Sequence, residues 1–163
     1  MSKKIKYSLD DDAEEFNFLL VGISCALDQY SVVTILNKQL NIDLGLQSIV
    51  PYHLKGNSTF SYNLYTCEVP ELYLEFNLIS NLSNFESDVI DAGSNDLFAS
   101  QAVEERARLI KELPKTDYFL IVRGESLEIY EYKVVEVLKG VADFTQIQQI
   151  QVDELKNASN LIF

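Results

Sequence analysis

The fold is organised around one stretch, Ile110 to Val122, which reads I-K-E-L-P-K-T-D-Y-F-L-I-V. Its first half is polar and is broken by Pro114, whereas Tyr118 to Val122 is an unbroken apolar run. An apolar run of this length, bounded by turn residues and rich in β-branched and aromatic side chains, is typical of a strand buried on both faces. Because such strands lie inside a sheet, we expect Tyr118 to Val122 to be central.

The segment before residue 42 predicts a strand followed by a helix. Phe16 to Ile23 reads F-N-F-L-L-V-G-I and predicts a second buried strand beside the central one. Gly22 near its end indicates a close approach by another element. Asp28 is a suitable N-cap for a helix whose apolar residues recur at helical spacing, and Asn41 can end that helix in the left-handed conformation.

The middle of the chain predicts a hairpin. Thr59 to Val69 and Leu72 to Ser80 alternate apolar and polar residues, with a turn at Pro70. The apolar phase shifts after Leu64, which indicates a bulge or twist there. Asp43 to Ser58, with two glycines and a proline, is interpreted as a loop or a weak extended stretch.

The second half predicts two more helices and a last strand. Asn81 to Asp96 has the composition of a mobile loop, and Leu97 to Glu112 has strong helix formers without Gly or Pro. Ser126 and Gly140 are suitable caps for the helix between them. Phe144 to Val152 predicts the last strand, and the final Leu-Ile-Phe is expected to pack back on the domain.

These elements predict an α+β fold in a single domain from residue 16 to residue 163, after an acidic and mobile segment at residues 1–15. We expect a mixed or antiparallel sheet of about five strands, with the helices packed mainly on one face. The favoured arrangement is a ferredoxin-like βαββαβ core with an added αβ unit.

Charge excludes two classes of partner. The formal net charge is −12 and the sequence pI is near 4.4. Nucleic acid and anionic membrane surfaces are therefore not expected partners, because both bind through Lys and Arg. No apolar leader follows the N-terminal lysines, and the longest apolar stretch, Phe18 to Leu27, is too short to span a bilayer. The sequence favours a cytoplasmic location.

The residues that most often carry chemistry are sparse. Cys25 and Cys67 share no metal-ligand spacing and are expected to be reduced and buried. The alternative is a disulfide between them, which requires their Cα atoms to lie close together. His53 is the single histidine and is expected to be a surface residue. The sequence contains no phosphate-binding glycine loop and no nucleophile elbow, so no catalytic residue, cofactor or metal is predicted.

Glu112, Asp117 and Tyr118 are the candidate site. Two carboxylates and a phenol form a set that can transfer protons. The alternative is structural, because an Asp before a strand accepts hydrogen bonds in its own turn and a Tyr can bury its ring while its hydroxyl finds a polar partner. The structural interpretation is favoured.

The same stretch resembles the signature of the IPExxxVDY family of small bacterial proteins. The matching positions are Ile110, Glu112, Asp117 and Tyr118, whereas Lys111 stands in place of Pro and Thr116 in place of Val. The segments F-L-L-V-G-I-S and D-E-L-K-N-A-S-N-L-I-F are similar to the two ends of that family. The resemblance implies a cytoplasmic protein of the Bacteroidetes lineage without an assigned activity, and it implies no catalytic residue.

We expect a non-enzymatic protein-interaction or homo-oligomeric module, which pairs with a second copy or a protein partner through a sheet edge or an exposed apolar face. A small-molecule-binding regulatory domain, with its pocket beside the loop from Asn81, is the alternative. An enzyme that uses Asp117, Glu112 and Tyr118 is less favoured.

Overall fold

The computed structural model of the protein describes residues 17–53, 59–84 and 106–163. Within these ranges six strands and two α-helices follow one another as β1 Leu19–Ser24, α1 Gln29–Leu40, β2 Gly45–His53, β3 Thr59–Val69, β4 Leu74–Ser80, β5 Tyr118–Gly124, α2 Leu127–Lys139 and β6 Gln146–Ile150. The predicted α+β class is confirmed. The predicted mobile segment at residues 1–15 lies outside the described residues.

All six strands form one sheet in the order β2-β3-β4-β5-β1-β6, and every neighbouring pair is antiparallel. As predicted, β5 is an interior strand, and its first five residues are all buried. Its neighbours are β4, where Leu78 lies opposite Leu120, and β1, where Gly22 lies opposite Phe119. The apolar run therefore pairs with a neighbouring strand on both sides.

Two parts of the predicted sheet differ from the structure. The sheet has six strands instead of about five, because Gly45–His53, within the segment interpreted as a loop or a weak extended stretch, is a strand of nine residues. The ferredoxin-like core is not confirmed. That arrangement would place β1 directly beside β4, whereas here β5 lies between them.

The sheet has two covered faces. Both helices pack on one of them, which we call the helix face, and this agrees with the prediction. Side chains from the interior strands, such as Ile23, Phe76 and Leu120, form one apolar core there with α1 and α2. Leu36 of α1 and Leu138 of α2 are fully buried. Burial of each such side chain stabilises the fold by about 2 kcal/mol.

The opposite face, which we call the tail face, has no α-helix over it in the described residues, although the short 3₁₀ helices Val152–Glu154 and Ala158–Leu161 lie there. It is covered by residues 106–116, the cover segment, and by residues 152–163, the tail. Leu109 and Ile110 of the cover segment pack on Phe119 and on Leu161 of the tail. The predicted return of the C-terminal apolar residues to the domain is confirmed for Leu161, which is fully buried.

The predicted hairpin is confirmed, with its turn formed by the short 3₁₀ helix Pro70–Leu72. The predicted bulge or twist near Leu64 is confirmed in the pairing of β3 with β2, where the register shifts opposite Leu64 and Tyr65, whereas β3 pairs with β4 without a shift. The shift lies in the neighbouring strand β2, between Leu46 and Ser48. Leu64 belongs to the core of the tail face and Tyr65 packs against that of the helix face, so the apolar phase changes because the covered face changes.

The helix prediction for Leu97 to Glu112 is wrong where it can be compared. Residues 97–105 lie outside the described ranges, and residues 106–112 form a β-bridge and turns instead of a helix. The bridge pairs Leu82 with Arg108. The strong helix formers did not make this segment helical, because its backbone hydrogen-bonds to Asn81 and Ser83, directly after β4.

The ends of the two helices agree only in part with the predicted caps. Asp28 accepts the backbone N–H of Ser31 at 2.9 Å, and Asn41 ends α1 with a left-handed φ of 53°. Both predictions are confirmed. Ser126 makes no side-chain capping bond to α2, and Gly140 follows that helix with a right-handed φ of −78°.

Gly22 marks a close approach between layers, as predicted. A Cβ at this position would lie 2.9 Å from Cδ1 of Ile150 and 3.1 Å from Cγ2 of Thr116. Thr116, at the end of the cover segment, therefore sits directly on β1. Within the described ranges, neither helix combines the length and apolar character that a membrane crossing requires.

Candidate functional site

The side chain of Asn81, directly after β4, holds the cover segment in place. Its Nδ2 donates to the backbone carbonyls of Leu113 at 3.0 Å and Thr116 at 2.9 Å, with a longer contact of 3.4 Å to that of Ile110. Its Oδ1 accepts the backbone N–H of Ile110 at 2.8 Å. Asn81 is fully buried, so it supplies these backbone groups with partners that water cannot reach.

The backbone around Asn81 continues the same contact. The Asn81 N–H donates to the carbonyl of Asp117, and the Asn81 carbonyl accepts the N–H of Leu109, both at 2.8 Å. The Ser83 N–H donates to the carbonyl of Ala107 at 2.8 Å, and its hydroxyl accepts the N–H of Ala107 at 2.9 Å. The sequence interpretation placed Asn81 at the start of a mobile loop and missed this role, since a buried Asn and a loop Asn carry the same local signal.

Glu112 lies in the cover segment and binds the tail. Its carboxylate accepts the backbone N–H of Lys156 at 3.0 Å and that of Asn157 at 3.2 Å. The Nδ2 of Asn157 donates to the same carboxylate at 3.0 Å. Hydrogen bonds to a charged acceptor are stronger than neutral ones, so Glu112 fixes the point where the tail turns onto the sheet.

Asp117 binds the turn between β1 and α1. Its Oδ2 accepts the backbone N–H of Cys25 at 2.9 Å, and its own N–H donates to the carbonyl of Ile23 at 3.0 Å. The residue thus extends the pairing of β5 with β1 by one position and aims its carboxylate at the backbone of the following turn.

Tyr118 binds the same turn from the helix face. Its ring is buried, and its hydroxyl donates to the carbonyl of Leu27 at 2.6 Å. Burial raises the pKa of Tyr118 to about 12, with smaller contributions from Cys25 and the negative charge of Asp117. At neutral pH the hydroxyl keeps its proton and acts as a donor.

The three candidate residues therefore serve two different places. Glu112 bonds to the tail, while Asp117 and Tyr118 bond to the turn before α1. Each of them has a backbone group of this chain as its partner. The geometry therefore provides three attachment points, one within the cover segment and two directly after it.

The cysteines and the histidine form no recognisable centre. Cys25 and Cys67 are free and half-buried. Burial raises the pKa of the Cys25 thiol, and the charge of Asp117 acts in the same direction, although a backbone bond at Leu27 opposes both. His53 ends β2. In the part of the chain that the structure describes, no group of three or more His, Cys, Asp and Glu side chains has a metal-binding arrangement.

The most exposed apolar feature of the sheet is its edge strand β2. It is nine residues long, and among the described strands it pairs only with β3. Leu46 is 57% exposed and Ile49 is 60% exposed. Their register partners, Tyr65 and Asn63, are two residues apart on β3, so Leu46 and Ile49 lie on the same side of the strand.

Comparisons of the sequence with protein-family models and with curated proteins found no match.

Proposed function

We propose that the protein is a non-enzymatic, homo-oligomeric module of the cytoplasm whose copies pair through the free edge of β2. The observation that carries the proposal is the character of this edge, which is long, exposed and apolar. Edge strands present unpaired N–H and C=O groups and are ready to add another strand.

Charge supports the choice of this edge. Proteins usually protect a free edge with charged side chains, yet Gly45–His53 contains no Asp, Glu, Lys or Arg in a chain of net charge −12. Two copies of so acidic a protein repel each other over most of their surface. An uncharged strip is therefore where they can approach most closely.

The second copy is the favoured occupant because the edge is complementary to itself. Antiparallel pairing of β2 with β2 is a two-fold contact, in which the same residues meet from both sides. It would bring Leu46 and Ile49 of one protomer beside those of its partner. The opposite edge strand, β6, is a weaker candidate, because it has five residues and exposes mainly glutamine.

The test is the mass in solution of two variants that receive the same charge at different places. We expect the unmodified protein to have twice the 18.6 kDa of one chain by light scattering at high micromolar concentration. Ile49→Lys, at the centre of the edge, should give the mass of a single chain. Ile129→Lys is the control, since Ile129 is 75% exposed on α2 and lies away from β2. A monomeric unmodified protein, or a dimeric Ile49→Lys variant, would contradict the proposal.

Membership of the IPExxxVDY family is part of the same proposal, and the contacts of the matching residues support it. Glu112, Asp117 and Tyr118 each fix a segment of the fold, which accounts for a sequence signature without catalysis. The two positions that differ from the signature, Lys111 and Thr116, tolerate the difference. Lys111 is exposed, and buried Thr116 has a shape similar to that of Val. Replacing both by the signature residues, Lys111→Pro with Thr116→Val, should leave the melting temperature within a few degrees of the original; a large drop would count against membership.

The cytoplasmic location is supported by the two free thiols. Cys25 and Cys67 are not joined, and reduced cysteines are usual where glutathione and thioredoxin maintain a reducing environment.

A further inference from the structure

A polar cleft opens on the tail face, at the end of the sheet away from the cover segment. Its volume is about 650 Å³, and strands β2, β3, β4 and β5 line it together with Phe163. Its apolar wall includes Val50 and Leu64, and its polar wall includes Glu75, Asn77 and Arg123. Residues 47–51 of the edge strand β2 line one side of the cleft, whereas its two charged side chains belong to β4 and β5, in the interior of the sheet.

Two opposite charges stand side by side in this cleft. Glu75 and Arg123 are direct cross-strand partners, which places their side chains on the same face about 5 Å apart at Cβ. They form no direct ion pair, and the one salt bridge among the described residues joins Lys139 and Glu136 on α2. The charges are neighbours without direct contact: burial lowers the pKa of Arg123, and the negative charge of Glu75 acts in the opposite direction.

Each charge is held by a different neighbour. The Nη2 of Arg123 donates to the carbonyl of Leu161 at 2.8 Å, and its guanidinium lies 5.0 Å from the ring centroid of Phe18. Asn77, which is 2% exposed, donates from Nδ2 to the Glu75 carboxylate at 2.7 Å. A guanidinium has five N–H groups, and Leu161 takes one of them within the described residues. The site is thus oriented in advance and has donors and acceptors to spare.

The chemistry of the pair selects a ligand with both signs of charge. A guanidinium binds a carboxylate through two parallel hydrogen bonds, and a carboxylate beside it binds an ammonium group. A dianion such as phosphate would meet the repulsion of Glu75 and of a chain with net charge −12. A ligand whose own charges cancel avoids that repulsion.

We propose that this cleft binds an α-amino acid with an apolar side chain. The ligand carboxylate pairs with Arg123, its ammonium group pairs with Glu75, and its side chain lies against the apolar wall near Val50 and Leu64.

The direct test is a titration of the protein with L-leucine, followed by calorimetry and by the amide chemical shifts of a ¹⁵N-labelled sample. We expect saturable binding with shifts concentrated in β4 and β5. Leucinamide lacks the carboxylate and 4-methylpentanoate lacks the ammonium group, so each should bind at least tenfold more weakly. No shift with L-leucine up to about 10 mM, or equal binding of either analogue, would overturn the proposal.

Variants assign the binding to the two charges. Glu75→Gln keeps an acceptor for Asn77 but removes the negative charge, and should weaken L-leucine binding at least tenfold with an unchanged melting temperature. Arg123→Gln should weaken it as much, but it also removes a contact to the tail. The decision therefore rests on Glu75→Gln, with Glu136→Gln on α2 as the control that keeps full binding. Full binding by Glu75→Gln would overturn the assignment.

Discussion

The two faces of the sheet are covered in different ways. On the helix face, two amphipathic helices satisfy their own backbone hydrogen bonds, so contact with the sheet is a matter of apolar packing. On the tail face, the cover segment and the tail are irregular and leave backbone groups that need partners. Asn81, Ser83 and Glu112 supply them.

The distribution of buried polar residues follows from this difference. Four described residues of this kind are buried, namely Asn77, Asn81, Ser83 and Thr116, and all belong to the tail face or to its cover. An irregular cover is stable only where side chains replace the hydrogen bonds that a helix would make internally. The two faces should therefore fail in different ways when they are mutated.

The largest effect is expected from Asn81→Ala. The substitution leaves the buried N–H of Ile110 and the carbonyls of Leu113 and Thr116 without their partner, which should cost about 4 kcal/mol. Urea unfolding monitored by circular dichroism measures the loss. Asn84→Ala is the control, because half-buried Asn84 bonds through its side chain only to side chains, and it should cost about 1 kcal/mol. If Asn81→Ala and Asn84→Ala lower the free energy of unfolding equally, Asn81 has no special role in holding the cover segment.

On the helix face, Leu36→Ala should cost about 3 kcal/mol through a cavity, without the loss of any hydrogen bond. Hydrogen exchange then distinguishes the faces. The amides of the cover segment should stay protected in Leu36→Ala and exchange faster in Asn81→Ala. If both variants expose the same amides, the two faces are one cooperative unit and the comparison fails.

A smaller and more local effect is expected from Glu112→Gln. The amide offers one acceptor oxygen in place of two and brings a donor toward the N–H groups of Lys156 and Asn157, a loss of about 1.5 kcal/mol. The amides of the tail should exchange faster while those of β5 do not. Glu154→Gln, an exposed change in the same tail, is the control and should alter neither.

The smallest effect at neutral pH is expected from Tyr118→Phe, about 1 kcal/mol for the lost bond to Leu27. Its pH dependence is more informative. Because the folded protein raises the pKa of Tyr118 from 10.0 to about 12, the associated stability is complete below pH 10 and is lost as the pH rises toward 12. Tyr118→Phe should lack this part of the decline, whereas Tyr132→Phe, at a residue 75% exposed, should retain it. The measurement is the free energy of unfolding of Tyr118→Phe and of Tyr132→Phe as a function of pH.

The same division explains what the sequence could predict. The central strand, the hairpin and the amphipathic helices were predictable, because their patterns reflect burial at a fixed period. Strand β2 was missed since its Gly45 and Pro51 indicate a loop, although Pro is compatible with an edge strand. The hydrogen bonds of Asp117 and Tyr118 to backbone groups were predictable in kind, but those of Asn81 were not. Its partners are backbone groups that lie about 30 residues further along the chain, and no local pattern encodes them.

The place of β1 in the sheet sets an order of events during synthesis. Of the six described strands β1 leaves the ribosome first, yet it pairs with β5 and β6, which leave it last. The β3–β4 hairpin can form while the chain is still being synthesised. In contrast, the apolar strand β1 stays unpaired during that time. During synthesis β1 therefore has neither of its strand partners until β5 emerges, and its pairing is complete only when Gln146–Ile150 has followed.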